Sequence, residues 1–116
     1  RRAARGVTFL TGHAHDGSEP DWHALRASAT TLVVYMGMAR IDGLVAGMLA
    51  AGFPADTPAC AIQNGTLAIQ REVVVTLGDL PEVARRAQLG SPAILVIGEV
   101  VGYARSARTA AARRAA

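Results

Sequence analysis

The chain has 116 residues, of which 51% are hydrophobic and 18% charged, a composition that fits one globular domain with a continuous core. Its net charge of +3 does not indicate a nucleic-acid-binding protein, because seven of the twelve arginines lie at the two ends and the body between Gly6 and Ala104 has five arginines against nine acids. Aromatic residues make up only 4% of the chain and no apolar run approaches the roughly 20 residues of a membrane span, so we expect neither nucleic acid nor a membrane as partner.

Strand-like and helical segments alternate in the first half of the chain. A strand pattern begins with VTFL at Val7, and a polar loop, TGHAHDGSEP, follows it. Asp21 is a credible N-cap for a short helix over WHALRASA. TLVVYM then has the continuous apolar, β-branched character of a buried strand. The next segment, 39–51, has helical apolar spacing and ends before Gly52, and its interior glycines, Gly43 and Gly47, favour close packing on a sheet.

The second half of the chain predicts three more strands and one helix. PACAIQ reads as a short buried strand and is followed by NGT, in which Asn-Gly is a strong turn signal. EVVVTL is strand-like, and LPEVARRAQLG predicts a helix with Pro81 in its first turn and Gly90 near its end. AILVIG is the last buried strand, and the remaining residues form an alanine- and arginine-rich tail without an apolar period, which we expect to be poorly packed.

These elements predict a fold of the α/β class. Continuous apolar strands separated by helices imply a sheet covered on both faces, so we expect a three-layer α/β/α domain. Two strands, PACAIQ and EVVVTL, follow each other with only a turn region between them. A mixed, roughly five-stranded sheet is therefore favoured over an all-parallel one.

Residue patterns alone give little evidence for chemistry. The loop TGHAHDG holds His13, His15 and Asp16, but it lacks the ligand spacing of common metal sites, so we expect no metal. Gly98 in LVIGEVVG is better explained by a tight turn than by a phosphate loop, since the fuller glycine fingerprint is missing. A single cysteine, Cys60, excludes an internal disulfide and fits a core residue of a cytoplasmic protein.

Five segments taken together resemble one family. VTFLTGH, DWHALRASATTLVVYMG, TPACAIQNGT, LAIQREVVVTLGDL and SPAILVIGEVV are similar, in order and spacing, to the C-terminal half of S-adenosylmethionine-dependent uroporphyrinogen-III C-methyltransferases, in the tetrapyrrole methylase superfamily. The resemblance runs from about Val7 to Val101. It implies the C-terminal tetrapyrrole methylase domain over residues 7–104, preceded by a remnant of an interdomain connection at 1–6 and followed by the tail at 105–116.

The resemblance also implies roles for four residues. Met36 of Tyr-Met-Gly, Gly65 of Asn-Gly-Thr and Ala93 of Ser-Pro-Ala match positions against S-adenosylmethionine. His13 of Thr-Gly-His and Met36 match positions facing the tetrapyrrole substrate. The alternatives stay open: Met36 as filler of an irregular core gap, Gly65 as a plain turn residue and His13 as a solvent-exposed loop residue.

The family's N-terminal half, with its glycine-rich cofactor loop and its catalytic residues, has no counterpart in these 116 residues, so we expect no catalytic residue here and no turnover by this chain alone. The resemblance implies that the whole protein is a cytoplasmic homodimer that converts uroporphyrinogen III to precorrin-2 for sirohaem or cobalamin synthesis. Two other functions remain open: a methylase of a later corrin intermediate, and a non-catalytic dimerisation or docking module.

Overall fold

A computed structural model of the chain describes residues 6–12, 19–63, 71–89 and 93–102. Within them, strands and helices follow one another in the predicted order: β1 (Val7–Thr11), α1 (Trp22–Ser28), β2 (Thr31–Tyr35), α2 (Ile41–Ala50), β3 (Pro58–Gln63), β4 (Arg71–Thr76), α3 (Leu80–Arg86) and β5 (Ala93–Ile97). Short 3-10 turns, Met38–Arg40 and Leu77–Asp79, lead directly into α2 and α3. A further helical turn covers 99–102.

The five strands form one mixed sheet in the order β1-β2-β5-β3-β4. β1 and β2 are parallel, and the three other neighbouring pairs are antiparallel. β3 and β4 pair antiparallel, and the seven residues between them, 64–70, are too few for the crossover connection that a parallel pair requires. The predicted mixed five-stranded α/β fold is confirmed.

One face of the sheet carries the hydrophobic core. Side chains alternate between the two faces along each strand, and the core-facing positions include Leu32 and Val34 of β2 and Leu95 and Ile97 of β5, each at most 1% exposed. Trp22, Leu44, Met48, Leu80 and Ala84, from α1, α2 and α3, belong to the same cluster of buried side chains. These three helices therefore cover this face.

The opposite face is also apolar and is more exposed. It carries Phe9, Val33 and Tyr35, and the rings of Phe9 and Tyr35 stack with centroids 6.0 Å apart. The helical turn at 99–102 begins on this side, since a Cβ placed on Gly102 would lie 3.5 Å from Cγ of Pro58. Of the predicted second helical layer the described residues show only this turn on the present face, because α1, α2 and α3 all cover the other face; the alanine- and arginine-rich tail lies outside the described residues.

The start of α1 and the end of α2 lie at the residues that the sequence predicted, a capping side chain and a glycine. Asp21 caps α1 by accepting a hydrogen bond from the Ala24 amide (3.1 Å), and Gly52, with φ of 101°, follows the end of α2. After α3 the left-handed residue is Gln88 (φ 58°), two residues earlier than the predicted Gly90, which lies outside the described residues. The longest described helix, α2, has 10 residues, and none of the described helices is long and apolar enough to cross a membrane.

Candidate functional site

All five strands have an end at one edge of the sheet. Thr11 of β1 pairs with Tyr35 of β2, Tyr35 with Ile94 near the start of β5, and Gln63 of β3 with both Ala93 of β5 and Arg71 of β4. We call this side of the sheet the motif edge, because the Thr-Gly-His, Tyr-Met-Gly, Asn-Gly-Thr and Ser-Pro-Ala segments each adjoin one of these strand ends. Ligand sites of α/β sheets commonly lie where several strands end.

Met36 is the first residue beyond β2 and has an unusual backbone conformation. Its φ is 56°, in the left-handed region, where a residue with a Cβ is strained by about 1–2 kcal/mol. Its side chain is 59% exposed, so the alternative that Met36 fills a core gap is wrong. A strained and exposed methionine at a strand end is the kind of feature that clusters at functional sites.

The neighbouring glycine, Gly37, is not the left-handed residue, since its φ is −96°. It is buried, and a Cβ there would lie 2.9 Å from Cδ1 of Leu95 and 3.1 Å from a side-chain carbon of Leu44 and of Val34. Gly37 therefore allows the Met36 turn to fold down onto the core.

The glycines of two motifs contact each other across the motif edge. The Gly12 amide donates to the Tyr35 carbonyl oxygen (2.7 Å), which extends the β1–β2 pairing beyond Thr11. A Cβ on Gly12 would lie 2.7 Å from Cα of Gly37 and 3.0 Å from the Met36 carbonyl oxygen, closer than a real Cβ comes to such atoms. The end of β1 and the Met36 turn thus fit together only with glycine at position 12.

Arg40, in the 3-10 turn that follows Gly37, binds the same region. Its Nη1 donates to the Gly12 carbonyl oxygen (3.1 Å), and its Nη2 forms an ion pair with Glu19. Gly12 and Glu19 lie on either side of the segment 13–18, which is outside the described residues. Arg40 therefore connects the end of β1, the approach to α1 and the Met36 turn.

Ala93 and Gln63 lie side by side at the motif edge. Ala93 is one residue before the Tyr35–Ile94 pair, opposite Met36 in the continued register, and is 8% exposed. The Gln63 side-chain oxygen, Oε1, is buried and has no hydrogen-bond partner within the described part of the chain. An unpaired buried acceptor is unfavourable and is suited to a hydrogen-bond donor on a ligand.

Two of the four predicted site residues can be compared with the structure. Met36 and Ala93 lie opposite each other at the motif edge, and their binding roles stay predictions. His13 and Gly65 lie outside the described residues; their described neighbours, Gly12 and Gln63, are both at the motif edge.

Three residues of the edge were not predicted from sequence. Gly12 is the residue before His13, and Gln63 directly precedes the Asn-Gly-Thr motif, so their positions in the sequence indicated that they lie near the site. Arg40 is one of the five arginines of the body, and no sequence pattern indicates its partners. Its role depends on contacts between segments that are distant in the chain.

A cavity of about 310 Å³ lies at the opposite edge of the sheet, away from the motifs. Its lining includes Leu25 and Arg26 of α1, Phe53, and Glu99 after β5. It has one arginine and one acid but none of the predicted site residues. Among the described residues no group of histidine, cysteine or acidic side chains could hold a metal ion.

The chain is similar in sequence to proteins of one known family. The family model for Tetrapyrrole (Corrin/Porphyrin) Methylases matches residues 2–81. A uroporphyrinogen-III C-methyltransferase from Pseudomonas aeruginosa is 54% identical over 100 residues, which are 86% of this chain and 41% of that protein. The siroheme synthase 2 of Aeromonas hydrophila is 45% identical over 102 residues, 87% of this chain and 21% of that protein.

A solved structure shows the same fold. The uroporphyrin-III C-methyl transferase of Thermus thermophilus, complexed with S-adenyl homocysteine, superimposes with a TM-score of 0.75 at 27% identity, over 89% of this chain and 46% of that one. The chain therefore spans less than half the length of these relatives. Because the family model covers more than half of the present chain, the chain belongs to the tetrapyrrole (corrin/porphyrin) methylase family.

Proposed function

We propose that this chain is the C-terminal domain of an S-adenosylmethionine-dependent methyltransferase that acts on uroporphyrinogen III and yields precorrin-2 for sirohaem or cobalamin synthesis. The observation that carries the proposal is 54% identity with a uroporphyrinogen-III C-methyltransferase over nearly the whole chain. The motif edge supports it, because Met36 and Ala93, two of the four residues implied by the family resemblance, lie at one end of the sheet. No observation favours the later corrin intermediate or the docking module.

The residues of the motif edge fit the cofactor chemically. S-adenosylmethionine carries an ammonium, an adenine amino group and ribose hydroxyls, and each can donate to an unpaired acceptor such as Gln63 Oε1. The exposed thioether of Met36 gives an apolar, polarisable contact for the cofactor and for the edge of the tetrapyrrole. Ala93 and Gly65 would contribute backbone groups without bulk, and His13 would face the substrate.

In this proposal the domain aligns and encloses the reactants. When bound, the cofactor supplies an electrophilic sulfonium methyl group to an electron-rich pyrrole carbon. Rigid placement of Met36 by the Gly12–Gly37 contact would hold one wall of the cleft, and alignment and exclusion of water are the main requirements of such a transfer. The glycine-rich cofactor loop and the catalytic residues would come from the N-terminal methylase domain.

Two further features belong to the proposal. A homodimer is supported by the apolar side chains on the sheet face opposite the core, since Val7 is 54% and Phe9 is 63% exposed. A cytoplasmic location is supported by the cysteine content, since the chain's single cysteine, Cys60, is buried in β3 and has no second cysteine in the chain with which to form a disulfide. Sedimentation of the full-length protein would give the oligomeric state.

The reaction is tested with the product of the complete reading frame that encodes this chain. Incubated with uroporphyrinogen III and S-adenosylmethionine carrying a labelled methyl group, it should transfer label to the tetrapyrrole and form precorrin-2. A folded protein that binds the cofactor but methylates only a later corrin would favour the first alternative. A folded protein that neither binds the cofactor nor transfers methyl groups would contradict the proposal.

Replacing Met36 with glycine should separate stability from binding. Glycine removes the left-handed strain, and we expect the free energy of unfolding to rise by about 0.5–1 kcal/mol after the extra chain entropy of glycine is counted. Loss of the side-chain contact should weaken binding of S-adenosylhomocysteine about tenfold. Thermal melting and calorimetric titration measure the two effects. Met36→Leu, which keeps the bulk and the strain, is the control and should retain most of the affinity.

A further inference from the structure

The Met36 turn is held to the end of β1 by contacts on both sides of Gly12. On one side the Gly12 amide donates to the carbonyl oxygen of Tyr35, the residue before Met36 (2.7 Å). On the other side the Gly12 carbonyl oxygen accepts from Nη1 of Arg40, three residues after Gly37 (3.1 Å). The backbone of Arg40 also donates to the Gly37 carbonyl oxygen (3.1 Å). The strained Met36 turn therefore lies between two residues, Tyr35 and Arg40, that both form a hydrogen bond with Gly12.

Arg40 has the chemistry for this position. A guanidinium offers several donors in a fixed plane, so Nη1 can bind the Gly12 carbonyl while Nη2 binds the Glu19 carboxylate. Its side chain is 32% exposed, and the ion pair with Glu19 orients the group. A lysine at this position would have only one nitrogen to bind both the Gly12 carbonyl oxygen and the Glu19 carboxylate, which belong to different segments.

The other described ion pairs differ from this one. Arg85 binds Asp42 and Arg86 binds Glu82, with side chains 60–76% exposed, and neither ion pair includes a backbone oxygen of the motif edge. Exposed pairs of this kind contribute little to stability. Arg40 is distinguished by its partly buried bond to a backbone oxygen of the motif edge.

We infer that Arg40 is a positioning residue for the cofactor site. Its hydrogen bond to Gly12 holds the Met36 turn, which forms one wall of that site, and Glu19 orients its guanidinium group. The inference rests on the proposed function, because it assigns Met36 to the cofactor. Arg40 acts through Met36 and does not contact the reacting atoms. Arg40 lies outside the five segments that carry the family resemblance, so the inference adds a new residue to the site.

The test uses the full-length protein, with the KM for S-adenosylmethionine and the Kd for S-adenosylhomocysteine measured for each variant. Arg40→Ala should raise both constants about tenfold and change kcat at saturation by no more than about twofold, since the reacting groups are untouched. Arg40→Lys should raise them about threefold, because it keeps the charge and one of the two bonds. Glu19→Gln should have an effect similar to that of Arg40→Lys.

Arg85→Ala is the matched control, since the ion pair that it removes joins α3 to Asp42 of α2 and includes neither Gly12 nor Glu19. It should leave both constants unchanged, and its melting temperature should lie within about 2 °C of that of Arg40→Ala. Equal cofactor affinity in Arg40→Ala and Arg85→Ala would overturn the inference, as would an Arg40→Ala protein that fails to fold. A wild-type protein that does not bind S-adenosylhomocysteine would overturn the proposed function and this inference with it.

Discussion

Replacing Gly12 with alanine should lower the free energy of unfolding by about 1–3 kcal/mol and weaken S-adenosylhomocysteine binding at least about tenfold. The new methyl carbon would lie 2.7 Å from Cα of Gly37 and 3.0 Å from the Met36 carbonyl oxygen. Both are backbone atoms, so the overlap cannot be relieved by rotating a side chain. The end of β1 and the Met36 turn must separate, which disturbs the Gly12–Tyr35 and Gly12–Arg40 hydrogen bonds.

Gly6, next to the other end of β1, provides the control. A Cβ on Gly6 would meet nothing within 4 Å, so Gly6→Ala should change the free energy of unfolding by less than about 0.5 kcal/mol and leave binding unchanged. Thermal melting and calorimetric titration of both variants give the comparison. Wild-type stability and affinity in Gly12→Ala would show that the contact between the two motif glycines is unimportant.

The two interior glycines of α2 should respond to alanine with opposite signs. A Cβ on Gly47 would lie 2.6 Å from Nε1 and 2.9 Å from Cδ1 of Trp22, a rigid side chain that is 6% exposed. Gly47→Ala should therefore lower the free energy of unfolding by about 1–3 kcal/mol as α1 is pushed away from α2. A Cβ on Gly43 would meet nothing within 4 Å. Gly43→Ala should therefore raise the free energy of unfolding by about 0.5–1 kcal/mol, because alanine has a higher helix propensity than glycine.

Chemical denaturation measures both changes, and the fluorescence of Trp22, the one tryptophan of the chain, reports on the contact directly. Gly47→Ala should shift the Trp22 emission toward that of a solvated indole, whereas Gly43→Ala should leave it unchanged. Equal stabilisation by both substitutions would mean that α1 and α2 do not pack through Gly47.

The fold could be predicted because apolar patterns dominate the chain. Buried strands such as TLVVY and AILVI and the capping residue Asp21 each depend on local sequence, so a sequence pattern identifies them. The role of the α2 glycines could not be predicted, because it depends on the neighbouring helix. Gly47 packs on Trp22 of α1 instead of the sheet, and Gly43 is exposed.

The candidate site could be predicted only in outline. The family resemblance indicated Met36 and Ala93, and sheet topology explains why they meet, since β2 ends where the antiparallel β5 begins. The left-handed backbone of Met36 had no local signal, because such conformations are typical of glycine and the glycine follows immediately. The Gly12–Gly37 contact and the partners of Arg40 arise only from the folded chain.

The central claim, that the motif edge binds the cofactor, is tested most directly by the methyl resonances of this chain's three methionines. Met36 is exposed at the motif edge, Met38 is half-buried and packed against the core, and Met48 is fully buried within α2. With ¹³C-labelled methionine methyl groups, assigned by substitution, titration of the full-length protein with S-adenosylhomocysteine should shift the Met36 resonance saturably and leave that of Met48 in place. Saturable binding that leaves the Met36 resonance unmoved would contradict the account.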